Sequence, residues 1–227
     1  MKAVVLASGG LDSTVAAAVA KRDGCAIHLL TLAYGQRHGV EVERAGQVAR
    51  SLGAASHLVL HVDLRSIGGS ALTTAQVVPK DRSEMERREG IPTTYVPARN
   101  TILLALALAY AESLEASLIY FGANVLDYSG YPDCRPEFLD AFQQVARVGT
   151  RAGLLGKAVE IRAPLLKLTK AEIIRLGTTL GAPLELTHSC YDPVADGLAC
   201  GRCDSCRIRL EGFRAAGLKD PIRYANE

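Results

Sequence analysis

Four cysteines near the C-terminus, Cys190, Cys200, Cys203 and Cys206, are spaced C-x9-C-x2-C-x2-C. The two tight C-x2-C turns let thiolates converge on one ion and the longer loop supplies a fourth, a set that suits tetrahedral zinc. An iron–sulfur cluster is the rival, since C-x2-C-x2-C also opens ferredoxin-type runs, but position 210 is leucine where a further nearby cysteine would be wanted. Soft thiolate ligands in a fourfold set suit zinc or an iron–sulfur cluster, and zinc is the expectation. Four thiolates leave no coordination position open to water, so the ion would be structural and would fold a tail poor in apolar residues. Arg202, Arg207 and Arg209 offset the local negative charge on this reading, although solvated arginines are the commoner case.

The second cluster opens the chain. In "MKAVVLASGGLDSTVAAAVA" an apolar run stops at Ser8-Gly9-Gly10 and passes straight into an alanine-rich helical stretch. Glycines between strand and helix let backbone N–H groups approach a ligand at the positive end of a helix dipole, which suits a phosphate; the same glycines also serve as a plain tight turn. The hydroxyls of Ser8, Ser13 and Thr14 add donors toward that spot, and Asp12 either holds Mg²⁺ against phosphate oxygens or is simply an acid favoured in a first helical turn. There is no G-x-x-x-x-G-K-[ST] and no G-x-G-x-x-G after a strand, which excludes a Walker site and a dinucleotide fingerprint. Two cysteines stand apart: Cys25 reads as a small buried residue before a strand, and Cys134, with no histidine near it in sequence to activate it, as a packing or substrate contact. Of the five histidines only His38 falls in a stretch that reads as part of the site.

Elements must place these residues, and the chain supplies them in alternation. Short apolar runs ("AVVLA", "AIHLLTLAYG", "SHLVLHVDL", "SLIYFGAN", "VEIRAPLL") alternate with helix-period stretches, the pattern of a parallel α/β sheet with flanking helices. Helices are expected to about Lys21, over Glu41 to Leu52, over "TILLALALAYAESLEA", which is apolar nearly all round and so buried, over "PEFLDAFQQVARVG", and over "KAEIIRLGTTLG" with Gly181 at its end. Residues 65–90 are polar and charged and read as a partly mobile excursion, a lid or partner contact. With 227 residues, 48% of them hydrophobic, the chain buries a full core as one α/β domain over 1–185 and a metal-binding appendage over 186–227. Twenty-six basic against 24 acidic residues give a net charge of +2, no electrostatic case for nucleic acid or membrane. The longest apolar stretch, Ile102 to Ala111, is too short to span a bilayer, and a cytoplasmic protein is expected.

Taken together the motifs carry a resemblance. S-G-G-L-D-S at 8–13 resembles the pyrophosphate-binding motif of the ATP pyrophosphatases, which cleave ATP to AMP and pyrophosphate while adenylating a substrate oxygen. "YGQRH" at 34–38, "IPTTYVPARN" at 91–100, "DYSGYPDCRPEF" at 127–138, "PLLKLTKAEI" at 164–173 and the terminal cysteines narrow this to a resemblance with the 7-cyano-7-deazaguanine synthase (QueC) family along nearly the whole chain. One departure is Ala98, where relatives often carry glycine in the turn before Arg-Asn.

The resemblance implies an adenine nucleotide alpha hydrolase-like sheet, a zinc-bearing tail, ATP with Mg²⁺ as co-substrate, and a homodimer; the 227 residues leave no room for a glutaminase domain with its own nucleophilic cysteine, so free ammonium is the expected nitrogen source. It implies that 7-carboxy-7-deazaguanine becomes a nitrile through two adenylations. Ala7, Ser8, Gly9, Gly10, Leu11, Asp12, Ser13, Thr14, Val15, Ala16 and Ala17 would then form the ATP-binding stretch, with Asp12, Ser13, Lys167 and Lys170 serving catalysis. Asp127 and Asp133 are the acids expected to accept from the guanine-like edge, Tyr128 or Tyr131 to stack on the fused ring, and Arg99 to steer either the substrate carboxylate or a phosphate. Two other classes remain in view. A tRNA-thiolating ATP pyrophosphatase would share the loop but should add a basic or RNA-binding surface and a catalytic cysteine pair, and a zinc-dependent nucleic-acid module would explain the cysteines but not the loop.

Overall fold

The computed structural model describes every residue except 36–38, 127–129, 195–196 and 226–227, and Arg88 in its backbone only. His38, Asp127 and Tyr128 therefore lie outside the described residues. The elements run β1 (Lys2–Leu6), α1 (Leu11–Arg22), β2 (Ala26–Ala33), α2 (Val40–Ser51), β3 (Ser56–His61), α3 (Glu84–Arg88), α4 (Arg99–Ser113), β4 (Leu118–Tyr120), α5 (Pro136–Val148), α6 (Arg151–Leu154), β5 (Glu160–Arg162), α7 (Lys170–Thr179) and α8 (Asp204–Ala216). Short 3-10 turns occupy Pro132–Cys134 and Leu184–Leu186.

All strand pairs are parallel and the order is β3-β2-β1-β4-β5. β1 lies at the centre, with Val4 opposite both His28 and Ile119. Successive side chains of a strand point to opposite faces, and β1 shows it: Ala3 and Val5 pack with α1, α7 and Phe213, whereas Val4 and Leu6 pack with Leu104, Ala107 and Ala111 of α4 and with Phe142 of α5. Each fully buried valine there contributes about 1.5–3 kcal/mol. The alanine run of α1 is buried without crowding its neighbours. The chain passes to the right and left of β1 in turn, so loops after β1 and β4 diverge at their carboxyl ends and open a crevice, the place where parallel α/β sheets bind ligands.

Three expectations are revised. α4 is not buried all round: Leu104, Ala107, Leu108 and Ala111 are buried, while Thr101, Ala105 and Ala109 face solvent. The tail, expected to be poor in apolar residues, still adds to the core, since α8 buries Cys206, Arg209, Gly212 and Phe213, and the four cysteines share one apolar cluster with the sheet. The 65–90 segment is docked. Ser70, Ala71, Leu72, Thr73 and Val78 are buried in it, and Ser83 opens α3 with a reciprocal capping box to Glu86. Its residues are tied to the tail in sequence order: Lys80 pairs with Asp192 at 2.8 Å, Asp81 with Arg202, Arg82 with Asp204 at 3.0 Å and Arg87 with Glu211 at 2.9 Å.

Candidate active site and metal centre

The loop after β1 is held by its own side chains. Ser8 N–H donates to Ser13 Oγ at 3.2 Å, Gly10 N–H to Ser8 Oγ at 3.3 Å, and the hydroxyls of Ser13 and Thr14 both donate to the Gly10 carbonyl, at 3.1 and 2.9 Å. Gly9 sits at φ +76, and a β-carbon there would stand 2.8 Å from Ala45 N and closer still to Glu41 O, so α2 leaves no room for a side chain. Gly10 is extended and, as the cap of α1, makes no side-chain hydrogen bond to its start. The start of α1, Leu11 to Ser13, borders a cavity of about 260 Å³.

Ala7, Ser8, Gly10, Leu11, Asp12 and Ser13 line that cavity together with Lys170. Gly9, Thr14, Val15, Ala16 and Ala17 are buried behind them and hold the loop rather than face the space. Lys170, the first residue of α7, donates to both oxygens of Asp12 at 2.6 and 2.7 Å. Its stem is packed under α8: a β-carbon on Gly212 would stand 2.9 Å from Lys170 Cβ. Lys167 is exposed and outside the cavity wall.

The rest of the wall comes from α4 and the loops beside it. Arg99 begins α4 and reaches the hydroxyl of Tyr34 at 3.3 Å, its guanidinium 5.7 Å from that ring's centroid. Ala98 before it adopts φ 52, the left-handed region, so the departure from glycine noted in the sequence falls on a backbone that glycine would adopt without strain. Tyr131 lines the cavity, packs on Tyr95 with centroids 5.9 Å apart, and meets Thr94 Oγ1 at 3.0 Å. Asp133 does not line it: its carboxylate accepts from Asn100 N–H at 3.1 Å and anchors the start of α4. Cys134 lines the cavity, accepts from Asn100 Nδ2 at 3.3 Å, and has its thiol pushed up to about 12 by burial, with nearby Asp133 adding to the effect. Cys25 is buried just before β2.

Sequence reasoning passed over several wall residues. Asn100 and Asn124 are ordinary polar residues in sequence; Asn124 closes the turn after β4 by donating to Leu165 O at 3.0 Å. Residues 187–191 form a strap across the loop: His188 N–H donates to Gly9 O at 2.8 Å, and Ser189 Oγ accepts from Leu11 N–H at 3.4 Å. Only the adjacent Cys190 could have drawn attention to His188, Ser189 and Tyr191. Arg209 anchors the strap from below, donating to Thr187 Oγ1 at 2.7 Å and pairing with Asp220 at 2.8 Å in near-complete burial. It is therefore committed to Asp220 and not to the cysteines, and Arg202 is likewise committed to Asp81.

The four cysteines of the tail are buried with their sulfurs all within 4.8 Å of one another, Cys190 and Cys203 at 4.0 Å. A tetrahedral ion with metal–sulfur distances of about 2.3 Å separates its ligands by about 3.8 Å, so the set fits a metal with small adjustment. Backbone N–H groups of Asp192 and Cys200 point at Cys190 Sγ, and those of Arg202 and Cys203 at Cys200 Sγ, at 3.3–3.4 Å, which favours thiolates over thiols.

Comparison with known proteins places this geometry. The fold is shared with NMN synthetase from Francisella tularensis (TM-score 0.51, 17% identity, 96% of this chain and 78% of that one) and with a 4-thiouridine synthetase solved with RNA and ATP (0.52, 22%, 99% and 48%). Proteins named 7-cyano-7-deazaguanine synthase are far more similar: that of Anaeromyxobacter dehalogenans is 58% identical over 99% of this chain and 96% of its own, and that of Solidesulfovibrio magneticus 58% over 98% and 95%. The family model described as queuosine biosynthesis protein QueC matches residues 2–217. The family model over residues 2–217, together with relatives 58% identical along nearly the whole chain, shows that the chain belongs to the QueC family.

Proposed function

We propose that this chain is an ATP-dependent carbon–nitrogen ligase that converts 7-carboxy-7-deazaguanine and ammonium to 7-cyano-7-deazaguanine. The observation that carries the reading is the 58% identity to a 7-cyano-7-deazaguanine synthase over 99% of the chain, which takes in both the loop and every cysteine of the tail. In the proposed reaction a carboxylate oxygen attacks the α-phosphorus of ATP and pyrophosphate leaves. Ammonia then displaces AMP to give the amide, and the amide oxygen repeats the attack on a second ATP, so that AMP departs and the nitrile remains.

The chain's own groups act on the leaving pyrophosphate, where charge grows in both rounds. Preorganised donors aimed at that charge stabilise the transition state, and here they are proposed to be N–H groups at the start of α1 with the hydroxyl of Ser8, while Ser13 shapes the loop by donating to the Gly10 carbonyl. Lys170, held by Asp12, adds a cation at the same loop. Mg²⁺ brought with ATP would supply further charge neutralisation, with Asp12 the carboxylate proposed to hold it. Lys167, outside the wall, is assigned no step. Since Asp133 already anchors α4, Asp127 is the acid proposed to read the deazaguanine edge, with Tyr131 beside the ring. The metal is proposed to be zinc in a closed, structural site that fixes the strap and the 80–87 segment. A reducing compartment such as the cytoplasm suits four thiolate ligands, and among the described residues no helix is long and apolar enough to cross a membrane. The homodimer is supported by exposed apolar residues on adjoining helices, Val145, Val148, Leu154 and Leu155.

A thiolating reading is disfavoured because a thiol held near 12, as at Cys134, is protonated at neutral pH and a poor nucleophile. The test is direct. Metal-loaded protein incubated with 7-carboxy-7-deazaguanine, ammonium and Mg-ATP should give the nitrile and AMP by mass spectrometry, and folded protein that gives neither ends the proposal. Metal analysis should return one zinc per chain, lost together with the folded tail in Cys203→Ser.

A further inference from the structure

Among the described residues of the cavity wall, Arg99 is a charged side chain with no oppositely charged partner. Its Nε is buried with no hydrogen-bond partner, and its guanidinium reaches a single polar atom, the hydroxyl of Tyr34 at 3.3 Å. Among the described residues no carboxylate pairs with it, whereas Lys170 in the same wall has Asp12 and Arg209 has Asp220. Arginine stays protonated, and with its Nε out of water and the half-buried guanidinium facing the cavity, the position favours an anion from outside the chain. The neighbouring carboxylate, Asp133, is occupied by Asn100 N–H at the start of α4.

Two anions enter the proposed reaction, and the surroundings distinguish them. The phosphate loop has its own donors, and Arg99 contacts none of them. The cavity that Arg99 enters beside Tyr34 is also lined by Tyr131, Leu72, Leu103 and Phe121, apolar surface that suits a fused aromatic ring carrying its charge at one edge. A planar guanidinium with an open Nε edge matches a carboxylate through two parallel hydrogen bonds. We infer that Arg99 is the receptor for the substrate's carboxylate and that it serves the acid-activating half of the cycle alone. The inference rests on the proposed function and deepens it.

The restriction to one half follows from charge. In the first half a carboxylate oxygen forms a bond to the α-phosphorus, the bond to the β-phosphate oxygen breaks, and its electron pair leaves on pyrophosphate. Ammonia then bonds to the carbonyl carbon, the C–O bond breaks with its pair on AMP, and a proton passes to water. The product is a neutral amide, which offers the guanidinium no charge. In the second half the amide oxygen bonds to phosphorus, and departure of AMP with loss of two N–H protons to water leaves the nitrile. Arg99 thus selects the acid over the amide at the substrate end of the cavity while both halves use the same ATP loop.

The experiment compares wild type, Arg99→Gln and Arg99→Lys on two substrates, the acid and the synthetic amide, with Mg-ATP and saturating ammonium. Arg99→Gln should lose about 100-fold in kcat/KM for the acid, mostly in KM, and stay within about threefold for the amide. Arg99→Lys, which keeps the charge without the fork, should recover about tenfold of the acid loss. Calorimetric binding of the acid without ATP should weaken in step. Equal losses on acid and amide would overturn the inference and assign Arg99 to ATP or to folding, and so would unchanged use of the acid. Thermal melts and zinc content separate folding, and Arg99→Lys carries the acid-to-amide ratio if Arg99→Gln is unstable. Wild type inactive on both substrates would instead overturn the proposed function and the inference with it.

Discussion

The adjacent glycines of the loop make opposite predictions. At Gly9 the backbone is left-handed and a β-carbon would press on the backbone of α2 at Ala45 N and Glu41 O, which cannot swing aside as a side chain end can. The left-handed conformation costs an alanine about 1–2 kcal/mol and the overpacking about 1–3, together roughly 2–5 kcal/mol. For a chain of this size each kcal/mol moves the melting temperature by about 2–4 °C, so Gly9→Ala should melt roughly 4–20 °C lower. Gly10 is extended and its β-carbon would meet Ser8 Oγ at 3.2 Å, His188 O at 3.7 Å and Ser189 Oγ at 3.8 Å, so Gly10→Ala should melt within about 2 °C of wild type. Yet Gly10 lines the cavity, and the added methyl stands where a phosphate would approach the start of α1, so KM for ATP should rise by about tenfold. The assays are differential scanning fluorimetry and AMP release at varied ATP. Two variants that melt alike, or a Gly10→Ala enzyme with unchanged KM, would refute the assignment of one glycine to α2 and the other to the ligand.

Three further outcomes follow from the geometry. Asp220→Asn leaves the buried Arg209 charge unpaired and should cost about 3–5 kcal/mol in denaturant unfolding, whereas an exposed pair such as Arg65–Asp63 should be nearly silent. Ala98→Gly relieves a positive φ and should stabilise by about 0.5–1 kcal/mol in the same assay with activity retained. Tyr120, buried and donating to Asp23 at 2.7 Å, has its hydroxyl pushed up to about 12; a raised folded-state value means stability present below pH 10 and lost as pH rises toward 12, and Tyr120→Phe should flatten that decline in a pH series of unfolding curves.

What the sequence discloses here is local chemistry; what it hides is non-local. Glycines after a first strand, thiolates at tight spacing and the alternation of strand and helix are visible because each is written within a few residues. The order β3-β2-β1-β4-β5 is not, since parallel strands are joined by crossovers whose direction is set by packing. α8 escaped because Gly212 breaks its helical pattern; that glycine is needed where the helix crosses the stem of Lys170. The 65–90 segment read as mobile because its charges look solvated, yet Lys80, Asp81, Arg82 and Arg87 each meet a partner more than 100 residues away. Asp133 read as a ligand-binding acid for the opposite reason: its partner is the backbone of α4, which no side-chain pattern announces.

The central claim is that both carboxylate oxygens leave the substrate on AMP, one in each round. It is tested most directly by supplying 7-carboxy-7-deazaguanine labelled with ¹⁸O in both carboxylate positions and analysing nitrile and AMP by mass spectrometry. The account predicts two AMP per nitrile, each carrying one ¹⁸O on its phosphate. Nitrile formed with unlabelled AMP, or with label in only one of the two, would contradict it.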